Sequence, residues 1–188
     1  MGTERQTYRY KKEDSIMGNL RDEYSLTPEE YYKVYSFYVT YSMCGSQSAK
    51  KRSFLSYGWE QESIRSTPLG MALSSVLNLN RNSAFIFTDR DDLSEQFAVQ
   101  ELTDGKLENV DYERAVIGKT SEGNNYLKLF YRIRDGFAHG KFHLRLSSSG
   151  EKMVIIQDDD RYNVTARIVL KLSTVLGFIK VTDKNSII

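Results

Sequence analysis

Between Tyr126 and Phe137 the side chains Tyr126, Phe130, Ile133 and Phe137 recur at i, i+4, i+7 and i+11. That spacing places them on one stripe of an α-helix. Gly123-Asn124-Asn125 precedes the stripe. Gly140 follows it, where glycine accepts the left-handed conformation that stops a helix. The pattern then changes to period two. Phe142, Leu144 and Leu146 alternate with polar residues, Ser147-Ser148-Ser149-Gly150 makes a turn, and Met153–Ile156 returns, which predicts a β-hairpin. Asp158-Asp159-Asp160 breaks the chain, and Ile168, Leu172, Val175 and Ile179 predict a final helix from about 163 to 181.

Other segments must cover the helical stripe. Thr27-Pro28-Glu29-Glu30 is a helix start: Thr27 is the N-cap, Pro28 fits the first turn and Glu30 completes a capping box. The helix predicted from it runs to about Met43 and carries Tyr31, Val34, Tyr35 and Tyr38. Residues 45–52 read as a loop, followed by a short segment around Phe54–Trp59. Thr67-Pro68 opens a second helix, and a third begins among Asp91, Asp92 and Ser94 and carries Leu93, Phe97 and Leu102. Ala84–Phe87 is a short apolar run compatible with helix or strand, and 108–117 reads as a weaker helical segment. The fold class expected is mainly α, a helical bundle with a small β-hairpin before the C-terminal helix. One domain over 1–188 is expected, with 1–25 as a candidate mobile segment.

Composition narrows the function classes. A chain of 188 residues, 40% hydrophobic and 27% charged, is long enough for one real core. A net charge of +1 provides no global basic field, so a nucleic-acid contact has to be a local patch. Cys44 is the single cysteine, and no Cys/His cluster suggests zinc. The first residues lack an apolar signal core, and the C-terminal apolar run is broken by Lys171, Ser173, Thr174 and Lys180. A cytoplasmic protein without membrane contact, metal or cofactor is the expectation.

On the helix through Phe137, Asp135 and His139 stand i, i+4 on the polar face with Lys128 and Arg132, and Arg134 lies on the shoulder. Histidine suits proton transfer near neutral pH, and a guanidinium fork suits the charge of a pentacoordinate phosphate. Those are the needs of RNA transesterification by a ribose 2′-hydroxyl. One histidine is little for acid and base together, so a twofold dimer would have to bring two such helices to one cleft. The spacing alone also describes a surface ion pair and a histidine at a helix end.

The run FYRIRDGFAHGKF resembles the signature of the HEPN superfamily, in which Arg, a polar residue, three further residues and His close a helix of an all-α bundle. Here these are Arg134, Asp135, Gly136-Phe137-Ala138 and His139. The resemblance covers about residues 121–182 and implies a homodimeric, metal-independent endoribonuclease, often a toxin or an antiviral, abortive-infection effector. Arg134 and His139 would be catalytic with Asp135 in support, RNA the substrate, and a cognate antitoxin a possible partner. Where some members carry a modifiable tyrosine two residues after the histidine, this chain has Lys141. A family member without nuclease activity, binding RNA, a nucleotide or a protein, is the alternative.

Around this pair, Arg132 reads as a phosphate contact. Lys141, His143 and Arg145 share one phase of the first hairpin strand and form a candidate basic patch for substrate. Lys50-Lys51-Arg52 reads as a solvated loop, Asp158-Asp159-Asp160 as a charged turn, and the tyrosines of 28–43 as core.

Overall fold

The computed structural model describes residues 19–42, 67–77, 84–118, 124–160 and 163–182. The segment around Phe54–Trp59, the basic run 50–52 and Cys44 lie outside them.

Helix α1 (Pro28–Tyr35) begins with both halves of the capping box made. Glu30 N–H donates to Thr27 Oγ1 at 3.2 Å, and Thr27 N–H to Glu30 Oε2 at 2.9 Å. It continues as a π-helical turn over Ser36–Thr40. Helix α2 (Pro68–Val76) starts on the Thr67 cap. Strand β1 (Ala84–Thr88), helix α3 (Leu93–Val99) and strand β2 (Arg114–Gly118) form a unit in which the two strands run parallel. Helix α4 (Asn125–Ala138) is capped by the Asn124 side chain and followed by the antiparallel strands β3 (Phe142–Leu146), β4 (Lys152–Asp159) and β5 (Val164–Lys171). Helix α5 (Leu172–Thr182) closes the described chain. Strand order in the sheet is β1-β2-β5-β4-β3.

This corrects the mainly helical expectation. The protein is mixed α/β with a five-stranded sheet, and the all-helical HEPN bundle is absent. Two segments carry the difference. The single helix expected from about 163 to 181 is a strand, β5, followed directly by α5. The helix expected at 108–117 is an irregular stretch ending in β2. Both strands are interior to the sheet, so Val164–Leu170 and Arg114–Gly118 are buried on both faces. A strand covered on both faces loses the period-two signature and reads as a continuous apolar run, which periodicity cannot separate from buried helix. Ala84–Phe87, compatible with either helix or strand, resolves as strand, paired parallel to β2 at the edge of the sheet.

The sheet separates two apolar layers. On one face Ala115, Ile117, Val154, Ile156, Ala166, Ile168 and Leu170 meet α1, α2, α4 and α5 through Val34, Leu73, Phe130, Ile133, Phe137, Val175 and Phe178. On the other, Val116, Met153, Ile155 and Val169 meet α3 and the loop after it through Leu93, Phe97, Leu102, Leu107 and Val110. Two fully buried arginines hold that loop down. Arg114 donates to the carbonyls of Tyr112, Glu101 and Asn109, at 3.1, 3.1 and 2.6 Å. Arg167 donates to Leu102 O at 2.7 Å, to Gln157 Oε1 at 3.1 Å and to the Asp104 carboxylate.

The outer edge of β3 is covered by residues 22–23. Glu23 N–H donates to Leu144 O at 2.7 Å, while Leu144 and Leu146 N–H donate to the carboxylates of Asp22 and Glu23 at 2.9 and 2.7 Å. Within the same segment Leu20 is buried against the apolar layer that meets α3, and Tyr24 Oη donates to Met153 O at 3.1 Å.

Gly136 fixes how closely α4 approaches the sheet. A Cβ there would overlap Ile156 Cγ2, which is buried and, being β-branched, unable to swing away. Gly136→Ala is thus expected to destabilise the protein by about 1–3 kcal/mol through overpacking, despite alanine's helix preference. Combining it with Ile156→Ala should cost less than the sum of the two single changes, as measured by denaturant unfolding in a double-mutant cycle.

Candidate functional site: a carboxylate cleft at the end of helix α4

The polar face expected on α4 is present, because residues i, i+3 and i+7 share one side of a helix. Arg132, Asp135 and His139 line a cleft of about 350 Å³ with Lys141, Asp158, Asp159, Asp160 and Thr165. The C-terminal turn of α4 supplies one wall and the ends of β4 and β5 the other.

Local backbone chemistry sets each wall. His139 is the C-cap, Gly140 takes φ +65°, and Lys141 N–H returns to Gly136 O at 2.8 Å. That bond is the six-to-one closure of a Schellman motif. Lys141 O also accepts from Gln157 N–H at 3.1 Å, so the Lys141 backbone is fixed from both sides. On the opposite wall the register steps from Asp158↔Ala166 to Asp159↔Val164, which makes Thr165 the extra residue of a β-bulge. Bulges re-aim side chains. Here the Thr165 hydroxyl is turned onto Asp158 Oδ2, to which it donates at 2.9 Å.

Asp158 is the buried centre, with 9% of its side chain exposed. Arg132 Nη1 donates to it at 2.7 Å, and the Arg132 side chain is only 11% exposed. Burial raises the Asp158 pKa above the ordinary carboxylate range, assisted by the Asp135 charge and opposed by Arg132, Thr165 and Lys141. Beside it, Lys141 Nζ donates to the buried Asp159 carboxylate. Asp160 Oδ1 accepts from Asn163 N–H at 3.0 Å. Asp135 is held from outside the cleft by Arg134 Nη1, at 2.6 Å. His139 is exposed at the rim.

Of the residues singled out from the sequence, Arg132, Asp135, His139 and Lys141 come together. Arg134 does not line the cleft, and its guanidinium is spent on Asp135. No catalytic Arg134–His139 pair is formed, and Asp135 serves Arg134 rather than orienting the imidazole. His143 and Arg145 lie elsewhere. Their neighbours Phe142 and Leu144 share the helix-covered face, so alternation turns His143 and Arg145 to the opposite one. There Asp22 approaches His143 Nδ1 at 3.3 Å and Glu23 pairs with Arg145 Nη2 at 2.9 Å. Of the expected basic patch, Lys141 lines the cleft, whereas His143 and Arg145 do not and are met by carboxylates of the N-terminal segment. Sequence reasoning missed Asp158, Asp159 and Thr165. The available signal was the continuation of the apolar strand Met153–Ile156 into its polar end, Gln157-Asp158-Asp159.

Comparison with protein-family models, with curated proteins and with solved structures finds no match. The endoribonuclease reading falls with the fold that implied it. A mixed α/β sheet replaces the bundle and no catalytic Arg134–His139 pair is formed, which removes the support for the RNA, homodimer, toxin–antitoxin and antiviral expectations. The HEPN-like binding-module alternative is overturned on the same ground. Among the described residues no three His, Cys, Asp or Glu side chains converge to hold a metal ion. Among the same residues no helix is long and apolar enough to cross a membrane.

Proposed function

We propose that the chain is a recognition protein whose cleft beside α4 binds a small organic cation. The observation that carries this is the charge balance of the lining: Asp135, Asp158, Asp159 and Asp160 face Arg132 and Lys141. Even with Arg134 counted against Asp135, carboxylates outnumber arginine and lysine by one. The C-terminal end of α4 adds the partial negative charge of its last carbonyls. An anion would have to draw Arg132 and Lys141 out of their pairs and would still face the surplus carboxylate, whereas a cation that takes the place of one of them keeps a charge-assisted bond on the carboxylate it meets.

Isothermal titration with putrescine, n-butylguanidinium, inorganic phosphate and a mononucleotide tests the reading. The expected result is saturable binding of a cation and none of the anions. Tight phosphate or nucleotide binding with no cation binding would overturn it. The same titration has a pH signature. A cation prefers ionised Asp158, whose pKa burial raises. Binding then releases a proton, and affinity climbs with pH through the Asp158 titration before levelling off. Proton release is read by repeating the titration in buffers of different ionisation enthalpy.

A further inference from the structure

The two cations of the cleft are not equivalent. Arg132 is a fixture: its side chain is 11% exposed, its Nη1 is on Asp158, and its Nε is buried with no hydrogen-bond partner. Lys141 is 30% exposed, and only its backbone is fixed, through Gly136 O and Gln157 N–H. Its ammonium reaches Asp159 on a four-carbon stem with freely rotating bonds. Asp159 itself is 6% exposed by side chain and so keeps a cation at that position whichever molecule provides it.

We propose that Asp159 is a subsite for a primary alkylammonium and that Lys141 is its tethered occupant, displaced when the ligand enters. This rests on the cation reading of the cleft and names the ligand class within it. A primary ammonium fits because the group now on Asp159 is one, and a ligand bearing it restores the same charge-assisted hydrogen bond that Lys141 gives up. The guanidinium position beside it, on Asp158, is already filled by a side chain that cannot leave. Lys141, once displaced, has solvent to move into because its side chain is already 30% exposed. The internal lysine lowers the apparent affinity by the fraction of time it occupies the carboxylate. Lys141 therefore sets both the chemical class of the ligand and the concentration at which it binds.

The test compares n-butylammonium, which has the length of a lysine side chain, with n-butylguanidinium. Both are titrated into the wild type, Lys141→Gln and Lys141→Gln/Asp159→Asn. Glutamine keeps a hydrogen-bond donor for Asp159, and the double variant removes the buried charge altogether, so folding of each is checked by thermal melting. The expected result is n-butylammonium binding about tenfold tighter to Lys141→Gln than to the wild type, with the gain lost in the double variant. A second readout needs no variant. With lysines reductively 13C-methylated, the Lys141 methyl resonance should move to a solvent-exposed position as n-butylammonium saturates the protein. Cation binding to the wild type with an unmoved Lys141 resonance would overturn the displacement, as would equal or weaker binding to Lys141→Gln. A preference for n-butylguanidinium would overturn the ligand class. Absence of any cation binding to both the wild type and Lys141→Gln would remove the reading of the cleft itself.

Discussion

Asp158→Ala is expected to lower stability by about 3–5 kcal/mol, because it strands a buried charge. The Arg132 guanidinium, on a side chain only 11% exposed, would lose the carboxylate its Nη1 donates to, and the bulged Thr165 hydroxyl would lose its acceptor. For a chain of this length the melting temperature should fall by roughly 10 °C or more. Asp158→Asn should cost less, since the amide oxygen still accepts from Arg132 and no carboxylate charge has to be buried. The two substitutions also separate by pH. Burial raises the folded-state pKa of Asp158, so the native protein holds that proton more tightly than the unfolded chain does. The associated stability is fully present below the unfolded carboxylate value, about 3.9, and is lost as pH rises through the higher folded value. Melting curves from acid to neutral pH should show this component in the wild type and not in Asp158→Asn. Identical pH profiles would mean that Asp158 is not desolvated in the folded protein.

Arg167→Met is the second large expected loss, again about 3–5 kcal/mol, from the opposite side of the sheet. The substitution fills volume but leaves Leu102 O, Gln157 Oε1 and the Asp104 carboxylate without their donor. Arg167→Lys should recover only part of it, because one ammonium cannot reproduce a fork reaching three acceptors. The loss should be local in its signature. Backbone amides in the loop over residues 101–109 are expected to exchange with deuterium faster, while the cleft, which contains no part of Arg167, keeps its cation affinity in the folded fraction. Faster exchange confined to α4 would contradict the assignment of Arg167 to the loop.

Local signals were legible where one short segment suffices to specify its own geometry. The Thr27 capping box, the Thr67-Pro68 start, the apolar stripe of α4 and the left-handed stop at Gly140 were all readable, and so was the hairpin with its Ser147–Gly150 turn. The polar face bearing Arg132, Asp135 and His139 followed from helical geometry as well. Strands β2 and β5 were not legible. Their neighbours β1 and β4 lie far off in the chain or across a bulge, and burial on both faces erases the alternation that marks a strand. With β5 read as helix only a hairpin is left of the sheet, which suits a helical bundle; the HEPN resemblance itself rested on FYRIRDGFAHGKF, a local motif that carries no information about the sheet.

The cleft divides along the same line. Caps and periodicity act within a few residues, so the sharply terminated end of α4, with its arginine, aspartate, histidine and lysine, is encoded locally. What those side chains face is set by long-range contacts. Pairing β4 with β5 put Asp158 opposite Arg132, the bulge turned Thr165 onto Asp158, and the return of the chain at Lys141 placed its ammonium on Asp159. Electrostatic partnership falls off over a few ångströms whatever the sequence separation. The meaning of a charged residue therefore depends on contacts that only the folded sheet brings together.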